Sequence, residues 1–240
     1  MNKLTPEQLE KYQLTISLKD INQEGQIKLL NSSILVVGTG GLGSSSLILL
    51  SSLGIGHIGI MDNDIVSLSN LPRQILYEYK DVGKAKVDVA KKKMKRMNPD
   101  IKVTAYKYRL DENNAEKIIK KYDIVLDCTD NLRTKFLIND VCVKLNKPFV
   151  TGGVSGFSGQ VMTVVPPKTK TFKDVFGDTS EETLRNYEDD RAVFPVTVSI
   201  ISNIACLQAV KYLLQIKDLL TDQIFVIDTK KMIFKSIKII

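Results

Sequence analysis

Residues 32–62 constrain the fold more tightly than any other part of the chain. The apolar run Ile34-Leu35-Val36-Val37 stops at Gly38-Thr39-Gly40-Gly41-Leu42-Gly43. Ser44-Ser45-Ser46 and the apolar Leu47-Ile48-Leu49-Leu50 follow, Gly54 closes the segment, and His57-Ile58-Gly59-Ile60-Met61 rises to Asp62. This order reads as strand, glycine turn, helix, strand, acid. Glycines let a backbone turn tightly and bring its N–H groups against a bound group. The helix behind them aims its N-terminus at the same point, which suits a phosphate. An acid at the end of the second strand then lies where the ribose hydroxyls of a nucleotide would sit. The unit is predicted to hold a nucleotide, and by itself it fits NAD and ATP equally.

The chain has 240 residues, enough for one large α/β domain or two smaller ones with a full core. No apolar run approaches the roughly 20 residues that span a bilayer, and Met1 to Glu7 lacks the apolar core of a signal peptide, so the expectation is a cytoplasmic protein with no membrane partner. Cys128, Cys142 and Cys206 lie far apart, and none has metal-ligand spacing. A sparse, odd set reads as reduced thiols. The net charge of +7 would attract a polyphosphate or an acidic partner, although lysines solvating helix faces account for it more simply. No nucleic-acid reading motif accompanies it.

Taken in order, Thr5 to Asn31 is predicted helical, with Thr5 as cap and Pro6 in the first turn. A second amphipathic piece is expected from Asp20 to Leu30. Asn63 to Gln74 is a polar loop beyond the second strand, on the edge where open α/β sheets bind ligands. There Arg73 either reaches phosphate oxygens or pairs with Asp62 or Asp64. Gly83 to Met97 is a lysine-rich helix with Val87, Ala90 and Met94 as its buried stripe and Lys86 one turn in. Residues 101–106 read as a strand and 113–121 as a short helix. The buried strand Ile124-Val125-Leu126 ends in Asp127-Cys128-Thr129-Asp130-Asn131, which places two carboxylates at the ligand crevice. Either could hold Mg2+, and Asp130 could equally cap the helix Leu132 to Leu145. Cys128 reads as packed rather than nucleophilic. A strand from Lys147 is expected to end at Gly152-Gly153, with Val154 to Val165 continuing as sheet and Gly156 and Gly159 marking turns or close approach. Residues 166–195 are polar and are predicted to form a mobile loop. An apolar helix, Val196 to Gln215, and a hairpin of Ile224 to Ile227 with Met232 to Ile237 close the chain. The fold class is α/β, a doubly wound and mainly parallel sheet with helices on both faces.

The glycine turn, Asp62-Asn63-Asp64, Ser69-Asn70-Leu71-Pro72-Arg73-Gln74, Lys86 and Asp127-Cys128-Thr129-Asp130-Asn131 follow one another in an order and at separations that resemble the ThiF/MoeB/HesA family, relatives of the ubiquitin-activating enzymes. The resemblance covers nearly the whole chain. It implies a single adenylation domain over residues 1–240 on a modified Rossmann fold: N-terminal helices to 31, a nucleotide-binding core 32–165, a crossover loop of about 166–195, and a C-terminal helix and hairpin. It implies MgATP as cofactor and, as partner, a ubiquitin-like sulfur carrier of ThiS or MoaD type ending in Gly-Gly, whose C-terminal carboxylate is adenylylated. The working unit would be a homodimer, with no nucleic-acid partner.

Carried over by motif, Gly38, Gly40, Gly41, Leu42 and Gly43 line the phosphates and Asp62 holds the ribose. Asp64, Ser69, Gln74 and Asn131 belong to the same nucleotide site. Asn70, Arg73 and Lys86 bind phosphates, and Asp130 holds Mg2+, so Arg73, Lys86 and Asp130 are the expected catalytic residues.

Three departures from the family pattern shape the expectation. Members usually carry Arg-Tyr-x-Arg-Gln near the N-terminus, with the second arginine entering the partner subunit's site; this chain has Lys11-Tyr12-Gln13-Leu14-Thr15. Many members bind zinc through two Cys-x-x-Cys pairs, which are missing from this sequence, so no zinc is expected. Residues 168–195 contain no cysteine, so the chemistry is expected to stop at the acyl-adenylate. Two alternatives on the same fold are adenylation of a peptide C-terminus and NAD-dependent oxidoreduction. The second is opposed by the charges of Arg73, Lys86 and Asp130, where nicotinamide needs an apolar wall.

Overall fold

The computed structural model describes residues 3–177 and 192–239. β1 (Ser33–Val37) and β2 (His57–Met61) flank α4 (Gly41–Leu53), as the glycine turn requires. α5 (Lys86–Met97), β3 (Lys102–Tyr106), α6 (Ala115–Ile119), β4 (Ile124–Asp127) and α7 (Leu132–Lys144) continue the alternation. β5 (Phe149–Ser155), β6 (Ser158–Val164), α8 (Phe172–Phe176), α9 (Pro195–Leu214), β7 (Gln223–Asp228) and β8 (Ile233–Lys238) complete it. The strands form one eight-stranded sheet in the order β3-β2-β1-β4-β5-β6-β7-β8. Its first five strands are parallel and its last three join antiparallel.

β1 shows why the sheet is covered on both sides. Ile34 and Val36 enter one apolar cluster with Leu47 and Leu50 of α4, Val87 and Met94 of α5, and Ile201 of α9. Leu35 and Val37 enter the opposite cluster with Ile118 of α6 and Phe136 of α7. A strand buried on both faces reads as an unbroken apolar run. The switch point lies between β1 and β4, where the chain reverses its direction of winding.

Several expectations need correction. The N-terminal helix is three pieces, α1 (Pro6–Lys11), α2 (Gln13–Ile16) and α3 (Asn22–Asn31). Thr5 caps the first through a reciprocal bond with Gln8. The first break is at Tyr12, whose ring is buried and whose hydroxyl accepts from Asn98 Nδ2 at 2.8 Å, and the third piece starts at Asn22, which has a positive φ. β5 runs through Gly152-Gly153 rather than ending there. Gly159 lies within β6 at a close approach, one of its two expected roles: a Cβ on it would overlap Ile201 Cγ1. The expected loop 166–195 contains α8, capped by Thr171; residues 178–191 lie outside the described part. α9, at 20 residues, is long and apolar enough to cross a membrane, contrary to the sequence expectation. It packs instead as a core helix, burying Val198, Ile201, Ala205, Ala209 and Leu213.

Candidate active site

Three segments far apart in sequence arrive at one sheet edge. Val37 is in register with both Met61 and Asp127, so Gly38, Asp62 and Cys128 leave the sheet level with one another. Gly38 has φ +89°, and a Cβ on it would lie 2.7 Å from the Cys128 carbonyl. A Cβ on Gly43 would overlap the Gly38 carbonyl. Only glycine satisfies both positions. α4 starts at Gly41, and its N-cap, Gly40, provides no side-chain cap. Its first N–H groups therefore face the edge without a capping oxygen, with the positive end of the helix dipole behind them.

Asp62 is tied into this turn. Its Oδ2 accepts from Thr39 N at 2.8 Å and from Thr39 Oγ1 at 2.9 Å, and its Oδ1 accepts from Asp64 N at 2.9 Å. The Tyr77 hydroxyl donates to the Thr39 carbonyl at 2.8 Å, and burial pushes that phenol well above its ordinary range, which keeps it a neutral donor. Thr39 and Tyr77 are residues that sequence reasoning missed; no local pattern pairs positions so far apart.

The loop after β2 folds back over the glycine turn. Ser67 N donates to Asn70 Oδ1, and the Asn70 carbonyl accepts from Arg73 N and Gln74 N at 3.1 and 2.9 Å. Asn70 thus shapes the loop, and Ser69 receives Arg73 Nη1 on its carbonyl at 2.9 Å. Arg73 pairs with neither Asp62 nor Asp64. A Cβ on Gly41 would lie 3.8 Å from Arg73 Cγ, and one on Gly40 would lie 3.7 Å from Gln74 Nε2. Both side chains border the turn, and the buried Gln74 Oε1 has no hydrogen-bond partner among the described residues.

Lys86 opens α5 rather than sitting one turn in. Its side chain is only 5 % exposed, and its Nζ donates to Asp64 Oδ2 at 3.0 Å, while the Asp64 side chain is 55 % exposed. Asp130 is exposed and makes no hydrogen bond or ion pair among the described residues. The expected capping role falls instead to Asn131, whose Oδ1 accepts from Thr134 N at 2.9 Å. Asp127 does not face the crevice. It is 1 % exposed and saturated by Thr129, Lys135 and Thr151, so of the two candidate carboxylates only Asp130 is open to a metal. Among the described residues no three His, Cys, Asp or Glu side chains cluster. A single carboxylate supplemented by phosphate oxygens is a donor set that Mg2+ accepts.

The three cysteines are buried, Cys128 among them although its backbone borders the glycine turn. Burial pushes all three thiols up, Cys206 to about 12. At the N-terminus Lys11 Nζ is held by Asp100 at 2.9 Å, and Leu14, at the position of the family's second arginine, is 86 % exposed.

A probable molybdopterin-synthase adenylyltransferase of Porphyra purpurea is 40% identical over 237 residues, which is 98% of this chain and 62% of that protein. The chain therefore spans about three fifths of that relative. The sulfur carrier protein ThiS adenylyltransferase of Escherichia coli K12 is 38% identical over 203 residues, 85% of this chain and 80% of that protein. Among solved structures, PaaA superposes with TM-score 0.84 at 23% identity, covering all of this chain and 76% of that one. E. coli MccB with ATP superposes with TM-score 0.80 at 24% identity, covering 89% and 66%. These two bear on the fold, which they share. The ThiF family model matches residues 12–240, so the glycine turn, the Asn70–Gln74 loop and the Asp127–Asn131 end all fall within it, and the chain belongs to the ThiF family.

Proposed function

We propose that this protein uses MgATP to adenylylate the C-terminal glycine carboxylate of a ubiquitin-like sulfur carrier, releasing pyrophosphate. One observation carries the reading. The buried Lys86 ammonium has three donors, and its one hydrogen bond among the described residues goes to a half-exposed carboxylate. A buried cation so weakly compensated is a place for an anion. Arg73, without an acidic partner among the described residues, and the open N-terminus of α4 border the same turn.

In this reading the α4 N–H groups and Gly38 to Gly43 receive the phosphates, with Asn70 shaping the loop that delivers Arg73. Asp62 accepts from the ribose with the lone pairs left over from Thr39 and Asp64. Ser69, Gln74 and Asn131 line the same space. The carrier carboxylate attacks the α-phosphorus as the bond to pyrophosphate breaks. Arg73 and Lys86 neutralise the charge that develops on the phosphate oxygens. Asp130 would hold Mg2+, which would supply further positive charge to the site. No protein nucleophile takes part, in keeping with three buried thiols of raised pKa.

The working unit in this proposal is a cytoplasmic homodimer. Lys11 is occupied by Asp100, so it does not replace the arginine that family members extend to a partner. The exposed Leu14 leaves that role vacant. Whether the carrier serves thiamine or molybdopterin synthesis is decided by assay. ATP–pyrophosphate exchange with Mg2+, run with candidate carriers ending in Gly-Gly, tests the proposal. Exchange dependent on one carrier supports it and names the pathway; ATP binding without exchange in the presence of every carrier overturns it in favour of a peptide substrate or an inactive nucleotide site.

A further inference from the structure

Lys135 is a charged side chain that the proposed chemistry does not use, yet it is 3 % exposed. It sits in the first turns of α7, where the helix dipole disfavours a cation. Its position is explained by what it holds. Nζ donates to Asp127 Oδ2 at 2.9 Å, to Thr151 Oγ1 at 3.3 Å and to the Gly152 carbonyl at 2.7 Å, so all three donors are spent. Thr151 Oγ1 also donates to Asp127 Oδ2, at 2.6 Å. The other oxygen, Asp127 Oδ1, accepts from Thr129 N at 3.0 Å and Thr129 Oγ1 at 2.6 Å.

The chain of contacts runs from α7, across the ends of β4 and β5, into the turn Cys128-Thr129-Asp130. That turn is the one whose Cys128 carbonyl abuts Gly38. Asp130 has no hydrogen bond or ion pair of its own among the described residues to fix it. Its placement relative to the glycine turn is inherited from Thr129, hence from Asp127, hence from Lys135.

We propose that Lys135 is a positioning residue for the metal-nucleotide site, locking Asp127 so that the Thr129 turn presents Asp130 toward the phosphates. This rests on the reading of Asp130 as the Mg2+ carboxylate. It predicts that the gain in ATP affinity on adding Mg2+ depends on Lys135, whereas affinity for metal-free ATP does not. Groups that contact a metal ligand typically change metal affinity by about 10- to 100-fold when lost; Lys135 acts further out, through Asp127 and Thr129, so a loss at the lower end of that range is expected.

The test is calorimetric titration of ATP into the full chain, with Mg2+ and with chelator, for wild type, Lys135→Met, Lys135→Arg and Thr129→Val. The expected result is at least about a tenfold loss of the Mg2+-dependent gain in Lys135→Met, metal-free affinity within about twofold of wild type, and recovery in Lys135→Arg. Thr129→Val removes the hydroxyl bond of the same line, keeping the backbone one, without leaving a buried charge unpaired, so it serves if Lys135→Met fails to fold; it should weaken the Mg2+ gain in the same direction, by less. Unchanged Mg2+ dependence in Thr129→Val, or in a folded Lys135→Met, overturns the proposal. So does a parallel loss of metal-free and Mg2+-bound affinity, which would mark a purely structural pair. If Asp130→Ala retains the full Mg2+ gain, the metal reading itself is wrong, and the role of Lys135 falls with it for that separate reason.

Discussion

Lys86 and Asp64 form an ion pair of 3.0 Å in which the cation is buried and the acid is half exposed. An isolated fold gains little from this arrangement, because burying an ammonium costs more than one solvated carboxylate returns. Lys86→Met should therefore leave the melting temperature unchanged or higher. ATP affinity should fall and carrier-dependent exchange should drop about a hundredfold or more, as when a donor to a developing anion is removed. Wild-type ATP affinity in the variant would show that Lys86 does not face the phosphates.

Asp130→Ala should separate metal from fold. The side chain is exposed and unpaired among the described residues, so the melting temperature should move by less than about 2 °C. Mg2+-dependent turnover should disappear. Activity at the wild-type level in this variant would refute the metal role.

Replacing Cys128, Cys142 and Cys206 together by alanine should leave adenylation measurable. The thiols are buried and their pKa values are raised by that burial, Cys206 to about 12, so almost no thiolate exists at neutral pH. Each replacement should cost about 1 kcal/mol in lost packing. A folded triple variant that forms no acyl-adenylate would overturn the claim that cysteine is dispensable.

Asp81 anchors the segment between Arg73 and Lys86. Desolvation pushes its carboxyl up, but the Glu78 backbone N–H and the Lys93 and Lys84 ammonium groups outweigh that and hold it below 3.8. Lys93 also reaches Glu78 at 2.7 Å and the Leu76 carbonyl at 2.6 Å, tying the loop to α5. A depressed carboxylate stabilises the fold above its unfolded pKa, and that contribution is lost as pH falls through the lower folded value. Asp81→Asn should thus lower the melting temperature at neutral pH. The gap to wild type should close below the carboxylate's ordinary 3.8. Melting curves from about pH 2 to about pH 7 check this, and a gap that persists at the acid end would assign the loss to geometry instead of charge.

The parts of the site legible in sequence are those whose local pattern is itself the structural requirement. Gly38 and Gly43 announce a turn that no other residue can make, and the apolar runs on either side announce strands. Asp62, the Asn70–Gln74 loop and Asp130 follow because they terminate or extend those elements at one edge. Asp127 looked as suitable for a metal as Asp130, since both are acids after the same strand. Their difference is burial, set by Lys135 and Thr151 from other elements. A cue did exist in Lys135 itself, a cation near a helix N-terminus that needs a compensating acid.

What the sequence determined alone is the series of elements from β1 to β5, the covered sheet and the edge on which its polar loops collect. Those follow from periodicity and from glycine, which act over a few residues. Tertiary structure decided the rest: that Asp62 carries Thr39, that Tyr77 supports the same carbonyl-bearing residue, that Lys86 is buried, and that Leu14 is not. It also decided that α9, apolar enough for a bilayer, belongs to the core. The reason is physical. Whether a side chain is desolvated, paired or free depends on neighbours that the chain brings together from tens of residues away, and no local pattern encodes that environment.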